Sequence, residues 1–439
     1  MRANAATDPF APRAQFLYFV FASVLAGVLI GLVGGAFRWV LERAEALRHV
    51  LAEDSHGLPG WGWLLPVTAV ALCSLAGYAV VQLSPRAAGS GIHDLQLVWH
   101  ADHTLPEPSV VPTRFVGGIL SIGSGLVVGQ AGPTVHLGSG IGSEVGRWFR
   151  LSDYHRKLLY TTVGGAGLAV AFNTPLGGAM FTLEEVTKSL RLRFILIVLV
   201  TTSVAVGVSH LFIPDRPEFQ VPEPPSPNAQ SLLIYLAFGL VTGLLGVGYN
   251  RLVMGALRRA DASRLSPSLR ATLIGAVVGL LLWVDPLMVG GGTEVTQVVL
   301  ATGNLTLWSL LALIAVRILV GPLSYAAGTA GGLFAPALAI GALWGALVQS
   351  LAGPLLGAVG ATPVILAIVG MTAFFAATIR APLTGIVLVM EMTGTTSLAV
   401  GMFAASAAAV LAASLAGAPP IYESLRERML QNASAGRAE

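Results

Sequence analysis

Between Ile318 and Ile379 the chain runs for 62 residues without a single Asp, Glu, Lys or Arg. A bilayer-spanning helix needs about 20 apolar residues, so this stretch alone is long enough for more than one crossing. Further uncharged runs cover 14–37, 61–85, 115–143, 158–183, 231–250, 295–316 and 392–422. Only 11% of the 439 residues are charged, against about 25% in a soluble domain, too few to coat a water-facing globule. The expected fold class is an all-α polytopic membrane protein with the lipid bilayer as its surroundings. A soluble enzyme, a secreted scaffold and a nucleic-acid binder are excluded. The net charge of +3 fits basic loops on one side of a membrane better than a polyanion partner. The first apolar run is too long for a signal-peptide core and lacks a cleavage site, so it reads as a retained helix. The single cysteine, Cys73, permits no internal disulfide and no thiolate metal site, and no metal or cofactor is expected.

Glycine (52) and proline (25) are too frequent for smooth spanning helices and are spread through the apolar runs. That predicts broken or re-entrant helices, which lipid tolerates only where bare backbone lines protein or a polar cavity. One linker-like segment, "PDRPEFQVPEPPSP", begins at Pro214 near mid-chain. The two sides of it echo each other. "GQAGPTVHLGSGIG" (129–142) is matched by "GLFAPALAIGALWG" (332–345) at an offset of 203. "TPLGGAMFTLE" (174–184) is matched by "APLTGIVLVME" (381–391) at an offset of 207. Gly31 to Gly34 is echoed by Gly243 to Gly246 at an offset of 212. The expected organisation is a first membrane repeat (1–213), a linker (214–230), a second repeat (231–425) and a short polar tail (426–439). Paired repeats with interrupted helices are the signature of a transporter whose site lies at the repeat interface. Basic clusters at Lys188–Arg193, Arg251–Arg270 and Arg426–Arg428 mark the cytoplasmic side.

Three glycine-framed segments each open an apolar helix: "GSGIHD" (89–94), "GQAGPTV" (129–135) and "GGLFAP" (331–336). Glycine lets the backbone approach a ligand, and proline suits a first helical turn. A helix N-terminus offers free N–H groups and about half a positive charge. Several such ends converging at mid-membrane would hold an anion without a buried lysine. Close packing through small residues is the structural alternative for any one of them.

The order GSGI, G-x-x-G-P-T-V, AFNTPL…EE, GG-x-F-x-P and a late Pro-x-Tyr resembles the CLC chloride channel and transporter family over essentially the whole chain. The resemblance implies a homodimer with one anion pathway per subunit, built from two inverted halves. It implies that chloride is held by the hydroxyls of Ser90 and Tyr422 and the amides of Leu333 and Phe334. The amides of Gly89 and Ser90 would border the inner site, and Gly91, Ile92, Ala131 and Gly132 would complete the anion-binding set. A serine at position 90 implies preference for chloride over nitrate.

The departures from the family pattern matter most. Its motif carries a gating glutamate where this chain reads Gln130-Ala131, and alanine takes neither proton nor charge. The inner proton glutamate of the family's antiporters is matched by Glu185. Glu184 and Glu391, mirror positions of the repeat, read as a structural pair. One end of the proton route is thus present and the other gone. The expected function is therefore passive, proton-uncoupled chloride movement through a channel or uniporter, with no cofactor beyond the transported ion. The alternative is a proton-coupled antiporter with a substitute proton acceptor: His93, which stands where the family has proline, His136 or Glu185. Both histidines are candidate pH sensors, with a histidine facing a water-filled vestibule as the plainer reading. Asp94 reads as a helix-dipole partner. Ser90, His93 and Asp94 do not make a hydrolase, since no Gly-x-Ser-x-Gly elbow or oxyanion hole accompanies them. The expected location is the bacterial inner membrane, as a multi-pass protein.

Overall fold

The computed structural model describes residues 13–101, 103–222, 231–303, 305–357 and 361–435. The later part of the expected linker, 223–230, and the end of the tail, 436–439, lie outside the described residues. The first half carries α1 (Arg13–His56), α2 (Leu64–Val81), α3 (Ile92–His100), α4 (Val110–Gly123), α5 (Ala131–Trp148), α6 (Asp153–Phe172), α7 (Pro175–Met180) and α8 (Leu192–Ser209). The second carries α9 (Ser231–Ala262), α10 (Pro267–Val284), α11 (Thr293–Thr302), α12 (Leu307–Ala326), α13 (Phe334–Gly357), α14 (Pro363–Ile379), α15 (Pro382–Thr393), α16 (Ala399–Leu415) and α17 (Ile421–Ala435). Among the described residues there is no strand ladder, only isolated bridges.

Among the described residues, seven helices are long and apolar enough to cross a bilayer. The chain is a multi-pass integral membrane protein. The short helices are as informative as the long ones. α3 has 9 residues and α11 has 10. At 1.5 Å per residue each reaches only about 15 Å, half the hydrocarbon thickness. Their starts are set by glycines in left-handed geometry, Gly91 (φ 81°) and Gly292 (φ 98°), a conformation other residues adopt at a cost.

The echoes in the sequence are echoes in space. Gly129 N–H donates to Gly332 O at 2.7 Å, and Gly332 N–H donates back to Gly129 O at 2.8 Å. Residues equivalent by the 203 offset therefore pair antiparallel with each other, as a two-fold relation between the halves would have them do. Glu184 accepts from the N–H groups of Leu383 (3.1 Å) and Thr384 (2.6 Å) at the start of α15. Glu391 accepts from Leu176 (3.0 Å) and Gly177 (2.7 Å) at the start of α7. Each carboxylate thus satisfies orphan donors of the other half's helix. The structural reading of this pair has its physical account here. Close glycine packing repeats as well: a Cβ on Gly138 would fall 2.2 Å from Val163 O, and one on Gly345 1.9 Å from Leu366 O.

Glu184→Ala would leave the Leu383 and Thr384 amides without their acceptor at a partly buried helix start. It is expected to cost about 1–3 kcal/mol and lower the melting temperature in detergent, with Glu391→Ala behaving alike. Unchanged melting in both variants would deny the exchanged carboxylates a structural role.

Candidate anion pathway

Three helix N-termini meet at the centre. Gly89 N–H donates to Thr329 O (2.9 Å) and Gly331 N–H to Gly89 O (3.1 Å), which ties the segment before α3 to the segment before α13. Gly132, in the first turn of α5, lies against Ser90: a Cβ there would fall 2.4 Å from Ser90 Oγ and 2.6 Å from Ser90 O. Leu333 and Phe334 open α13, where first-turn N–H groups have no intrahelical acceptor. Phe334 is clamped among rings, with Phe375 edge-on at 4.5 Å and Phe181 edge-on at 6.0 Å. Ser90 Oγ and Tyr422 OH are buried beside one another, and no other described residue hydrogen-bonds either of them. A buried hydroxyl without a partner is rare, because losing water without replacement costs about 1–3 kcal/mol. Two beside converging helix N-termini make a donor set suited to an anion.

Several sequence expectations need correcting in detail. The Gly89 and Ser90 amides are not free for an anion. Gly89 N–H goes to Thr329 O, and Ser90 N–H donates to Tyr325 OH at 3.2 Å. Gly91 and Ile92 follow them at the start of α3. Asp94 is more than a dipole partner. It is buried and accepts from Arg86 Nη2 (2.7 Å) and Tyr160 OH (2.9 Å), with His136 Nε2 at 3.2 Å. His136 Nδ1 faces Arg114, whose Nη2 lies at 2.6 Å and Nε at 3.2 Å. Arginine can only donate, so Nδ1 accepts and the ring proton sits on Nε2, pointed at Asp94. A second ring proton would have to enter between Nδ1 and a guanidinium. His136 is thus a fixed strut and a poor proton carrier. Arg114 also donates from Nη1 to Gly89 O, so it holds the α3 approach directly.

His93 is half-buried, its Nδ1 has no partner among the described residues, and it lines a cavity with Arg86, Tyr325 and Arg428, the last in a basic cluster that the positive-inside rule assigns to the cytoplasm. Glu185 is buried in the π-helical turn Phe181–Thr187 that continues α7, and accepts from Gln96 Nε2 at 2.8 Å. Ala131, fully buried, starts α5, and Gln130 before it donates to Ala171 O at 3.0 Å. Gln130 borders a separate cavity that shares no lining residue with the one at His93. Sequence reasoning missed Arg114, Tyr325 and Gln96. Arg114 had a signal: it is the one charge in α4, "VVPTRFVGGILSIG", and a charge in an apolar helix is functional by default.

The model for the voltage gated chloride channel family matches residues 72–414. The chain belongs to that family. The H(+)/Cl(-) exchange transporter ClcA of Vibrio campbellii is 34% identical over 424 residues, covering 94% of this chain and 90% of that protein. ClcA of Salmonella typhimurium is 33% identical over 435 residues, covering 96% and 91%. Among solved structures, a slow cyanobacterial Cl-/H+ antiporter superposes with a TM-score of 0.89 at 28% identity, covering 94% of this chain and 98% of that one. A CLC-type fluoride/proton antiporter, at 22% identity and a TM-score of 0.76, shares the fold. The family is one of channels and transporters, with chloride as the transported ion.

These likenesses correct the expectation of passive, proton-uncoupled movement. It rested on one side chain, Ala131. Relatives named as proton/chloride exchangers match over nine-tenths of the chain, and they favour the proton-coupled alternative.

Gly132→Ala would push α5 away from Ser90. Chloride affinity measured by calorimetry is expected to fall about tenfold, equal to about 1.4 kcal/mol. Wild-type affinity in a folded Gly132→Ala protein would separate Ser90 from the anion pathway.

Proposed function

We propose that this chain exchanges chloride for protons across a bacterial inner membrane, using an outer proton acceptor other than residue 131. The observation that carries the reading is Glu185: a buried carboxylate, fixed by Gln96, in the turn that ends at the basic cluster Lys188–Arg193 expected to face the cytoplasm. A passive pore has no use for a buried carboxylate there, and burying one is costly. Chloride is held by Ser90 Oγ, Tyr422 OH and the first-turn N–H groups at Leu333 and Phe334. The starts of α3 (Gly91, Ile92) and α5 (Ala131, Gly132) add positive potential. Gly89 acts through its carbonyl, which orders the α3 approach. Glu185 passes the proton between this region and the cytoplasm. Of the substitute acceptors, His136 is occupied by Arg114 and Asp94, while His93 and Glu185 lie on the inner side. The working form is a homodimer with one pathway per subunit, each made from halves 1–213 and 231–425.

Liposomes loaded with chloride and read by chloride and pH electrodes together test this. Wild-type protein is expected to take up protons as chloride leaves. Glu185→Gln should cut proton movement at least about tenfold while chloride continues, as expected for loss of a positioned proton carrier. Wild-type chloride efflux with no proton uptake would refute exchange.

A further inference from the structure

The segment that reads in sequence as a mere linker follows the end of α8 remote from Lys188, Arg191 and Arg193, which by the positive-inside rule makes its side the outer one. Asn173 Nδ2 donates to Arg216 O at 2.9 Å. Phe219 N–H donates to Met392 O at 2.8 Å, and Gln297 clasps both backbone groups of Gln220 at 3.0 Å. Residues on both sides of Glu218 are therefore pinned, to the first half by Asn173 and to the second by Met392 and Gln297. The pinned turn presents Glu218 inward, with its side chain only 7% exposed. Its carboxylate borders the same cavity as Gly129 and Gln130, the residues that lead into Ala131.

Glu218 Oε2 accepts from Arg38 Nη2 at 2.5 Å. Arg38 also donates to Glu42 (3.2 Å) and to Ala171 O (3.4 Å), and Gln130 shares that carbonyl. A continuous polar path thus links Glu218, through Arg38 and Ala171 O, to the residue before Ala131. We propose that Glu218 is the outer proton acceptor of this exchanger, a carboxylate supplied by the segment after α8 in place of the one absent at position 131. The inference rests on the exchange reading above.

Three physical points support it. Protonating Glu218 would not orphan Arg38, which keeps Glu42 and Ala171 O. Burial pushes the Glu218 carboxyl above its ordinary range, an effect that Arg38 beside it opposes and Glu42 and Glu45 reinforce. Facing it across the cavity are Arg38, Glu42, Glu45 and Arg48 from α1, and Arg216 from its own segment. Chloride and the ionised carboxylate compete for Arg38, Arg48 and the nearby helix starts. Taking up a proton removes the competing charge, so proton entry and chloride occupancy of the mouth are linked. The step moves one proton from outer water to Glu218 Oε2 and onward, with no bond to carbon made or broken.

The test is dual-electrode flux in liposomes for wild type, Glu218→Gln and Glu218→Asp. Glutamine keeps an acceptor for Arg38 and removes the titration. It should lower proton flux at least about tenfold while chloride flux continues, as for a deleted proton carrier. Aspartate keeps the carboxylate one methylene further back, and should leave measurable but slower proton movement. The aspartate comparison decides the matter even if the glutamine variant does not reconstitute. A wild-type chloride-to-proton ratio in the variants overturns the assignment of Glu218 and leaves exchange standing. Absence of proton movement in wild type overturns both.

Discussion

Two hydrogen bonds of 2.7 and 2.8 Å between Gly129 and Gly332 hold the centre of this protein. Each glycine stands shortly before a helix that starts inside the membrane. Because the pair is reciprocal, α5 and α13 are aimed at one another by their positive ends. Like ends repel, and such an arrangement persists only if something compensates. Here the two bonds, each using one N–H and one carbonyl, hold the helix starts in place against that repulsion. What remains directed at the centre is an excess of N–H groups. The central chemistry is therefore anionic before any side chain is considered.

Buried arginines stabilise the same geometry one layer out. Arg114 and Arg317 are among the largest fully buried side chains of the described residues, and they are related by the same offset of 203. Arg114 donates to Gly89 O, and Arg317 to Gly290 O (3.2 Å) and Leu287 O (2.9 Å). A Cβ on Gly91 would fall 2.6 Å from Arg114 Nη2, and one on Gly292 2.9 Å from Arg317 Nη1. Each guanidinium thus occupies the space that a side chain at the following helix start would need. An unpaired cation in this setting would cost several kcal/mol. The loops before α3 and α11 meet that demand with carbonyls, and Asp94 and His136 add to it around Arg114.

This layering explains what could be read from sequence. The membrane class, the interrupted helices and the paired halves were legible because each writes a long-range pattern: uncharged length, glycine spacing, offset motifs. The second-half counterpart of "GSGIHD" is "GGGTEV" (290–295), offset by 201. It escaped notice because only its two framing glycines match. Residue identity told less about partners. His136 and His93 look alike as candidate pH sensors, yet Arg114 and Asp94 bracket one ring while a nitrogen of the other is left without a partner. The difference is made by a residue 22 positions away, which periodicity does not encode. The anchoring of the 214–222 segment is hidden from sequence for the same reason. Its proline content marks it as irregular, while its three anchors, Asn173, Gln297 and Met392, come from distant parts of both halves.

Ala131 shows why a motif position and a chemical function separate. A carboxylate at the first turn of α5 would sit inside the positive field of the helix start and compete directly with the anion. With alanine there, that field is left wholly to chloride, and the N–H groups of α5 have no tethered rival. Any proton-linked group must then act from a place where it still senses the field, without being able to swing into it. Such a group trades reach for position. It must be buried enough to be felt across a medium of low dielectric, close to water on one side, and held so that losing its charge does not unmake its surroundings. A carboxylate shared by an arginine that has two further acceptors satisfies the last condition. An isolated buried ion pair would not, because neutralising one partner strands the other. On the proposed reading, the charge arrangement around Glu218, more than the identity of residue 131, sets what the protein couples.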